Sequence, residues 1–226
     1  MVREVGPTAA PAPGESLMVE HARRVKRRRQ AARSRSWWAR VRYRLSTEPA
    51  STRAFALGAE GERIAAARMA REGDPVIVLH SRGLGPGGRR GDIDHLAVCP
   101  SGVVVVDAKH YRGARVQVRA TGGLMTPRRQ QLMVRGRDRT SLLVGTRTQR
   151  DVVAQALAGP FPDVPVSSVL CFVDGEVVRS GQSIDGTDVV ASRRVRRRLL
   201  RDGPLDAAAR AEIAAYLDRT FPAARS

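Results

Sequence analysis

A chain of 226 residues, of which 42% are apolar and 4% aromatic, can build one domain around an aliphatic core. Its net charge of +18 favours a polyanionic partner, either nucleic acid or an anionic membrane surface. Two cysteines, Cys99 and Cys171, are too few for a disulfide framework or a thiolate metal site. No apolar run approaches the roughly 18 residues of a membrane span. The N-terminus lacks an apolar signal region, so we expect a cytoplasmic protein.

The first 50 residues are expected to form an arm outside the domain. Residues 1–16 are rich in proline, glycine and alanine, which is typical of disorder. Between Arg23 and Arg44 there are 11 basic residues and no acid, which allows a basic helix over residues 17–45. This segment could bind phosphates, lie on a membrane surface, or dock its tryptophans on the domain. We favour phosphate binding.

The hydrophobic periodicity predicts an α/β fold with a mixed central sheet flanked by helices. The predicted helices are Ala54–Arg71, Thr148–Leu157, Ser192–Leu200 and Ala207–Phe221, the last of them capped by Asp206. The predicted strands are Val76–His80, Ile93–Val98, Val103–Lys109, Arg115–Val118, Leu132–Arg135 and Val166–Val173. We therefore divide the chain into the arm (1–50), a domain (51–180) and a C-terminal helical extension (181–226) that packs on the domain.

Lys109 is the most informative residue of the predicted strands. Of the 40 basic residues only Lys26 and Lys109 are lysines, and Lys26 lies in a run where any cation would serve. Lys109 ends an apolar run and stands two residues after Asp107, on the same face of a strand. An ammonium is a compact point charge that can lose its proton when buried, whereas a guanidinium cannot. The pair indicates a chemical role, with an exposed strand end as the open alternative.

The hairpin between the second and third strands predicts facing carboxylates. If Pro100-Ser101 is a two-residue loop, Asp94 lies opposite Asp107, with Cβ atoms about 5 Å apart. The two acids repel, and a divalent cation would remove the conflict. Oxygen ligands favour Mg²⁺, with Mn²⁺ as a substitute. A type I turn with a glycine bulge at Gly102 is the alternative, and it would shift the pairing by one residue.

A third carboxylate could come from the first helix if that helix packs across the sheet. Glu62 is the first candidate and Glu60 the second. Either residue is otherwise an exposed helical glutamate. Gly58 and Gly61 are unusual inside a helix, where each costs about 1 kcal/mol relative to alanine. They indicate the close approach of another backbone or of a ligand.

Five motifs in this order resemble the nuclease-related domain (NERD) family over roughly residues 55–173. They are Gly58-Ala59-Glu60-Gly61-Glu62, Gly91-Asp92-Ile93-Asp94-His95, Pro100-Ser101-Gly102-Val103, Asp107-Ala108-Lys109 and Tyr111-Arg112-Gly113. The family is placed in the PD-(D/E)xK nuclease superfamily. The resemblance implies a restriction-endonuclease-like core and metal-dependent hydrolysis of phosphodiester bonds.

The resemblance also implies roles for single residues. Asp94 and Asp107 would hold Mg²⁺, with Glu62 as a direct or water-mediated ligand. Lys109 would orient the attacking water and offset charge in the transition state. Gln149, at the start of the helix after residues 145–148, would hold the substrate or a water.

The assignment of this glutamine leaves an alternative open. The family has an Asn-Pro element before it, which is replaced here by Gly145 and Thr146, and Gln155 is the second choice. The arginines expected to contact phosphates are Arg89, Arg90, Arg112 and Arg115, with a solvated surface as the open alternative.

Three histidines invite a zinc hypothesis that the spacing does not favour. His80, His95 and His110 lack a compact ligand pattern, and His95 should face away from Asp94 on its strand. We interpret His95 as a structural or supporting residue.

These residues together predict a Mg²⁺-dependent nuclease that cleaves DNA with little sequence specificity, in repair or processing. Little base readout is expected because no recognition helix or zinc finger is evident. The first alternative is a non-catalytic nucleic-acid-binding protein that retains the fold. The second is a membrane-associated or adaptor role led by residues 17–45.

Overall fold

The computed structural model describes residues 50–84, 92–123, 126–179 and 181–224, so most of the predicted arm and two of the predicted phosphate contacts, Arg89 and Arg90, lie outside it. The helices are α1 (Ala50–Met69), α2 (Leu142–Leu157), α3 (Ser192–Leu199) and α4 (Ala207–Thr220). The strands are β1 (Ile77–Gly83), β2 (Asp92–Cys99), β3 (Gly102–His110), β4 (Arg115–Gly123), β5 (Thr126–Val134), β6 (Arg137–Asp138), β7 (Val166–Val173), β8 (Glu176–Val177), β9 (Gln182–Ile184) and β10 (Thr187–Ala191).

Six strands form the central sheet in the order β1-β2-β3-β7-β10-β9. β7 runs parallel to both β3 and β10, and the other neighbours are antiparallel. This arrangement confirms the predicted α/β class with a mixed sheet. A second sheet of four strands, in the order β6-β5-β4-β8, was not predicted.

The central sheet continues beyond residue 180, where the sequence analysis placed a helical extension. β9 and β10 belong to this sheet, so the segment 181–226 supplies two strands as well as α3 and α4. Asp185 and Gly186 join the two strands as a two-residue turn, with φ values of 47° and 78°. Asp-Gly is the dipeptide preferred where both turn residues need positive φ. That signal, present in the sequence, indicates a hairpin that the hydrophobic pattern alone did not reveal.

The alternation of β3 places its side chains in two different layers. Val104 and Val106 pack in one cluster with α1 and α3, whereas Val103 and Val105 pack in another with α2 and α4. Asp107 continues the second series because side chains on a strand alternate with a period of two. The sheet therefore directs Asp107 toward α2.

Candidate active site

The three predicted acids and Lys109 meet where α1 packs on the end of β3. A cavity of about 510 Å³ lies there, and its walls include Glu62 of α1, Asp94 of β2 and Lys109 of β3. Asp107 lies behind Lys109 with only 5% of its surface exposed, and its Oδ1 accepts a hydrogen bond from Lys109 Nζ at 2.5 Å. α1 and the hairpin of β2 and β3 thus bring three acids and one amine to the same place.

Gly61 allows α1 to approach β3 this closely. A Cβ added to Gly61 would lie 2.8 Å from the Cβ of His110, a separation that side chains do not adopt. His110 Nδ1 also bonds to the carbonyl of Leu57, which ties the same helix to the strand. The close approach expected from this helical glycine is therefore that of the strand carrying Asp107 and Lys109.

The hairpin register predicted from a Pro100-Ser101 loop is confirmed over five pairs, from Cys99–Gly102 to His95–Val106. The glycine-bulge alternative does not occur. The regular pairing ends one position before Asp94 would face Asp107. Asp94 Oδ2 instead accepts a hydrogen bond from the backbone N–H of Ala108 at 2.8 Å. The carboxylate of Asp94 thus holds the two strands together where their ladder stops.

The ladder between β1 and β2 is interrupted at the same level. Its register passes from His80–His95 to Arg82–Ile93 and omits Ser81, which would pair with Asp94. Ser81 has a φ of 48°, in the left-handed region that residues other than glycine rarely adopt. Ser81 is buried and lines the same cavity. Backbone strain of this kind is concentrated at functional sites, and a serine inside a strand gives no sequence signal of it.

Asp94 is a strongly perturbed acid in the wall of the cavity. Burial raises its pKa well above the ordinary value, and the negative charges of Asp107 and Glu62 raise it further. The ammonium of Lys109 and the N–H of Ala108 oppose this rise without cancelling it. The ionised form of Asp94 is therefore unfavourable unless a further positive charge is present.

Lys109 remains an ammonium in this environment. Burial alone would lower its pKa, but the charges of Asp107 and Asp94 outweigh that effect and the pKa is raised. A buried lysine can act as a cationic point charge or, after losing its proton, as a base. The raised pKa of Lys109 supports the first of these roles. Its side chain is 32% exposed and reaches the cavity.

Thr146 holds the second oxygen of Asp107 and was not predicted as a site residue. Its Oγ1 donates to Asp107 Oδ2 at 2.9 Å, and Thr146 is completely buried. The predicted helix started at Thr148, whereas α2 begins at Leu142 and includes this threonine. The residue standing where the resembled family has its Asn-Pro element therefore fixes the orientation of the central aspartate.

We expect Thr146→Val to weaken both the fold and the site. The valine keeps the volume but leaves a buried carboxylate oxygen without its donor, a loss worth about 1–3 kcal/mol. Chemical denaturation would measure this loss, and Thr146→Ser, which retains the hydroxyl, should recover most of it. Equal stabilities of the valine and serine variants would contradict the role assigned to the hydroxyl.

Gln149 lies beside the cavity rather than in its wall. Its Nε2 donates to the carbonyl of Asp92 at 3.0 Å, and Asp92 is itself a wall residue. Its Oε1 is buried and has no hydrogen-bond partner in the described part of the chain. The second choice, Gln155, is exposed on α2. Of the two glutamines, only Gln149 has a contact with the strand that carries Asp94.

Glu60, Arg112 and Arg115 do not line the cavity. Glu60 is half-buried and lies 3.9 Å from Arg112, whereas Glu62 is only 5% exposed, so Glu62 is the buried acid of α1. Arg112 is 71% exposed in its side chain, and Arg115 is also exposed. Their contact with phosphates stays a prediction.

The histidines form no zinc site in the described residues. His80 and His95 meet through their Nδ1 atoms at 2.9 Å, and His110 Nε2 bonds to Asp174 Oδ2 at 3.0 Å. His95 is fully buried, and this burial lowers its pKa to about 3, which keeps it neutral. His95 is therefore interpreted as a structural residue of β2, the strand that also carries Asp94.

The oxygen donors of the three predicted acids are of the type that binds a hard divalent cation, but the side chains are not arranged as a formed metal site. Within the described ranges, no three His, Cys, Asp or Glu side chains are placed as a ready metal-binding group. The oxygen donors of Glu62, Asp94 and Asp107 are nevertheless those that Mg²⁺ and Mn²⁺ prefer. Such an ion would relieve the electrostatic repulsion of Asp94 by the carboxylates of Asp107 and Glu62. An ion could bind beside the present hydrogen bonds, because each carboxylate oxygen has two lone pairs and a hydrogen bond uses one of them.

A mixed α/β sheet with acids and a lysine at adjoining strand ends defines a nuclease-like class of protein. The model of the nuclease-related domain, NERD, matches residues 57–173, just over half of the chain, and the chain belongs to this family. Searches of curated proteins and of solved structures returned no match.

Proposed function

We propose that this protein is a Mg²⁺-dependent nuclease that hydrolyses phosphodiester bonds of DNA with little sequence specificity, in repair or processing. The observation that carries the proposal is the crowding of Asp94 by Asp107 and Glu62 in one cavity next to Lys109. Family membership supports nuclease-related chemistry in general. The net charge of +18 supports an anionic substrate.

Asp94 and Asp107 are the proposed metal ligands, with Glu62 as the third. Mg²⁺, or Mn²⁺ in its place, would supply Lewis-acid polarisation of the phosphoryl group and a lower pKa for the attacking water. Asp107 is fixed in its orientation by Thr146, and Asp94 by the N–H of Ala108. A strained, rigid surrounding of this kind suits ligands that must be held in place before the substrate arrives.

Lys109 is proposed to stabilise negative charge that develops on the scissile phosphate. Its ammonium is already charged and partly buried, so it need not reorganise when the charge appears. Gln149 is proposed to position the substrate or a water through its Oε1, which has no hydrogen-bond partner among the described residues. Arg89, Arg90, Arg112 and Arg115 are proposed phosphate contacts around this centre.

A non-catalytic nucleic-acid-binding protein is the second candidate, and one observation favours it. Both oxygens of Asp107 are already engaged, by Lys109 and by Thr146. In a protein that had lost catalysis, such contacts would serve only to stabilise the buried carboxylate. For a role at a membrane, the described residues contain no helix long and apolar enough to cross one.

Supercoiled plasmid DNA distinguishes the two candidates. We expect nicking by the full chain in Mg²⁺, none in EDTA, and none by Asp107→Asn in either condition. Binding of the same DNA in EDTA should persist in the variant. Binding without any metal-dependent nicking would leave only the non-catalytic function, and nicking retained by Asp107→Asn would place the catalytic centre elsewhere.

A further inference from the structure

α3 concentrates positive charge on one short element. Five of its eight residues are arginines, at positions 193, 194, 196, 197 and 198, and Arg201 follows the helix. The helix lies outside residues 57–173, so the family match does not account for it. Arg193, Arg194, Arg197 and Arg201 are exposed, as are Arg68 and Arg71 of α1. These six side chains are called the α3 arginine surface below.

The six arginines are neighbours in space because α1 and α3 pack side by side on the central sheet. Val195 and Leu199 bury the apolar side of α3 in the cluster shared with α1. A depression of about 490 Å³ is lined by arginines of both helices, and a second of about 460 Å³ shares Arg197 with it. The surface is therefore continuous.

Acidic side chains neutralise only part of the charge on these helices. Arg196 makes two hydrogen bonds to Asp74, at 2.6 and 2.7 Å, and Arg198 pairs with Asp188 at 2.5 Å. Arg201 lies 3.9 Å from Asp188, which is already occupied. Arg193, Arg194 and Arg197 have no carboxylate within ion-pair distance in the described residues. These three arginines are exposed.

The stability of α3 does not explain this placement. Arg193 and Arg194 lie in the first turn, where the helix dipole disfavours cations, and the helix has no acid there. Arg193 and Arg197 form an i,i+4 pair of like charge, which destabilises a helix. These arginines destabilise α3 and gain no ion pair in the described residues. Their placement therefore indicates that the charge serves to bind a partner.

The α3 arginine surface extends to the rim of the candidate active site. Arg68 and Arg193 line a third depression together with Asp174. Asp174 bonds to His110, which lies in the wall of the active-site cavity. An extended polyanion could therefore contact the arginines and the carboxylate cluster at once.

We propose that the α3 arginine surface binds the sugar-phosphate backbone of the nucleic acid that is cut at the carboxylate cluster. This inference rests on the proposed function, because it concerns the path of the nucleic acid that the nuclease would cut. Guanidinium groups match phosphate geometry through paired donors, and contacts to phosphates carry no sequence preference. A membrane surface fits less well because insertion needs exposed apolar side chains. The exposed large apolar residues of the described chain are Leu57, Ile77 and Val144, none of them on α3.

The test compares two triple variants of the full chain in EDTA, where cutting cannot interfere. One variant is Arg193→Gln, Arg194→Gln, Arg197→Gln. The control variant is Arg129→Gln, Arg137→Gln, Arg139→Gln, which changes exposed arginines of the second sheet and of the turn after it. Both remove three charges, so the overall field falls equally. Anisotropy of labelled duplex DNA between about 0.05 and 0.2 M salt should show a smaller salt slope for the α3 triple, by about 2–3 units, and an affinity at least about tenfold weaker.

Equal losses in the two triples would overturn the proposal, since only net charge would then matter. Weaker binding to phosphatidylserine vesicles with unchanged DNA affinity would overturn it in favour of a membrane. If the α3 triple folds poorly, the single changes Arg194→Gln and Arg197→Gln should each lower the slope by about 1. Failure of the nuclease proposal gives a different pattern, in which plasmid nicking is absent from the unaltered chain while the α3 triple still loses DNA affinity.

Discussion

Lys109→Met should lower the rate of DNA cleavage by about 10²- to 10³-fold, the usual effect of removing one preorganised electrostatic group. Methionine keeps the aliphatic stem but takes away the charge that faces Asp107 and the cavity. The affinity for DNA in EDTA should change little, because a single charge of 40 basic residues contributes little to the general field. Single-turnover cleavage in Mg²⁺ measures the first quantity and anisotropy measures the second.

Lys109→Arg and Arg137→Gln make the matched controls. The arginine retains a cation but is a planar fork rather than a point charge, so it should recover only part of the rate. Arg137 is exposed on the second sheet, and its loss should leave cleavage unchanged. A Lys109→Met protein that cleaves at the original rate would remove the amine from the mechanism.

Asp94→Asn should stabilise the metal-free protein and abolish its response to Mg²⁺. The amide still accepts from the N–H of Ala108, but it ends the repulsion from Asp107 and Glu62. Mg²⁺ at 100 times its dissociation constant should stabilise the unaltered chain by about 2.7 kcal/mol and the variant not at all. Thermal unfolding in EDTA and in Mg²⁺ gives both comparisons.

The same variant should change how stability depends on pH. The pKa of Asp94 is raised in the folded state, so folding takes up a proton between the ordinary value of 3.8 and the raised value. The contribution of Asp94 to stability therefore falls as pH rises through this window, and the advantage of Asp94→Asn in EDTA grows. Asp163→Asn, which removes an exposed acid from the segment between α2 and β7, is the matched control. A constant difference between Asp94→Asn and the unaltered chain across pH would mean that Asp94 is not crowded.

The sequence indicated the elements whose apolar pattern is long and regular. β7 was predicted at its observed bounds, and the Asp206 cap of α4 was confirmed by its bond to the N–H of Ala209. β8 and β9 are only two and three residues long, too short for any periodicity to register. α2 begins six residues before the predicted start, because Gly145 and two threonines, Thr146 and Thr148, weaken the helical signal there.

The site was predictable where chemistry depends on residue type, and not where it depends on backbone geometry. A lone lysine in an arginine-rich chain and two acids across a tight hairpin pointed to Lys109, Asp94 and Asp107. The contact from Thr146 depends on where α2 crosses the sheet, and the positive φ of Ser81 depends on an interruption of the ladder. Neither fact has a local sequence pattern, since both result from tertiary packing.

A crystal soaked in Mn²⁺ tests the central claim most directly, through the anomalous signal of the ion. We predict one strong peak in the cavity between Asp94 and Asp107, about 2.0–2.2 Å from a carboxylate oxygen of each, with Glu62 on its third side directly or through a water. A crystal in which no peak lies beside Asp94 would contradict the account.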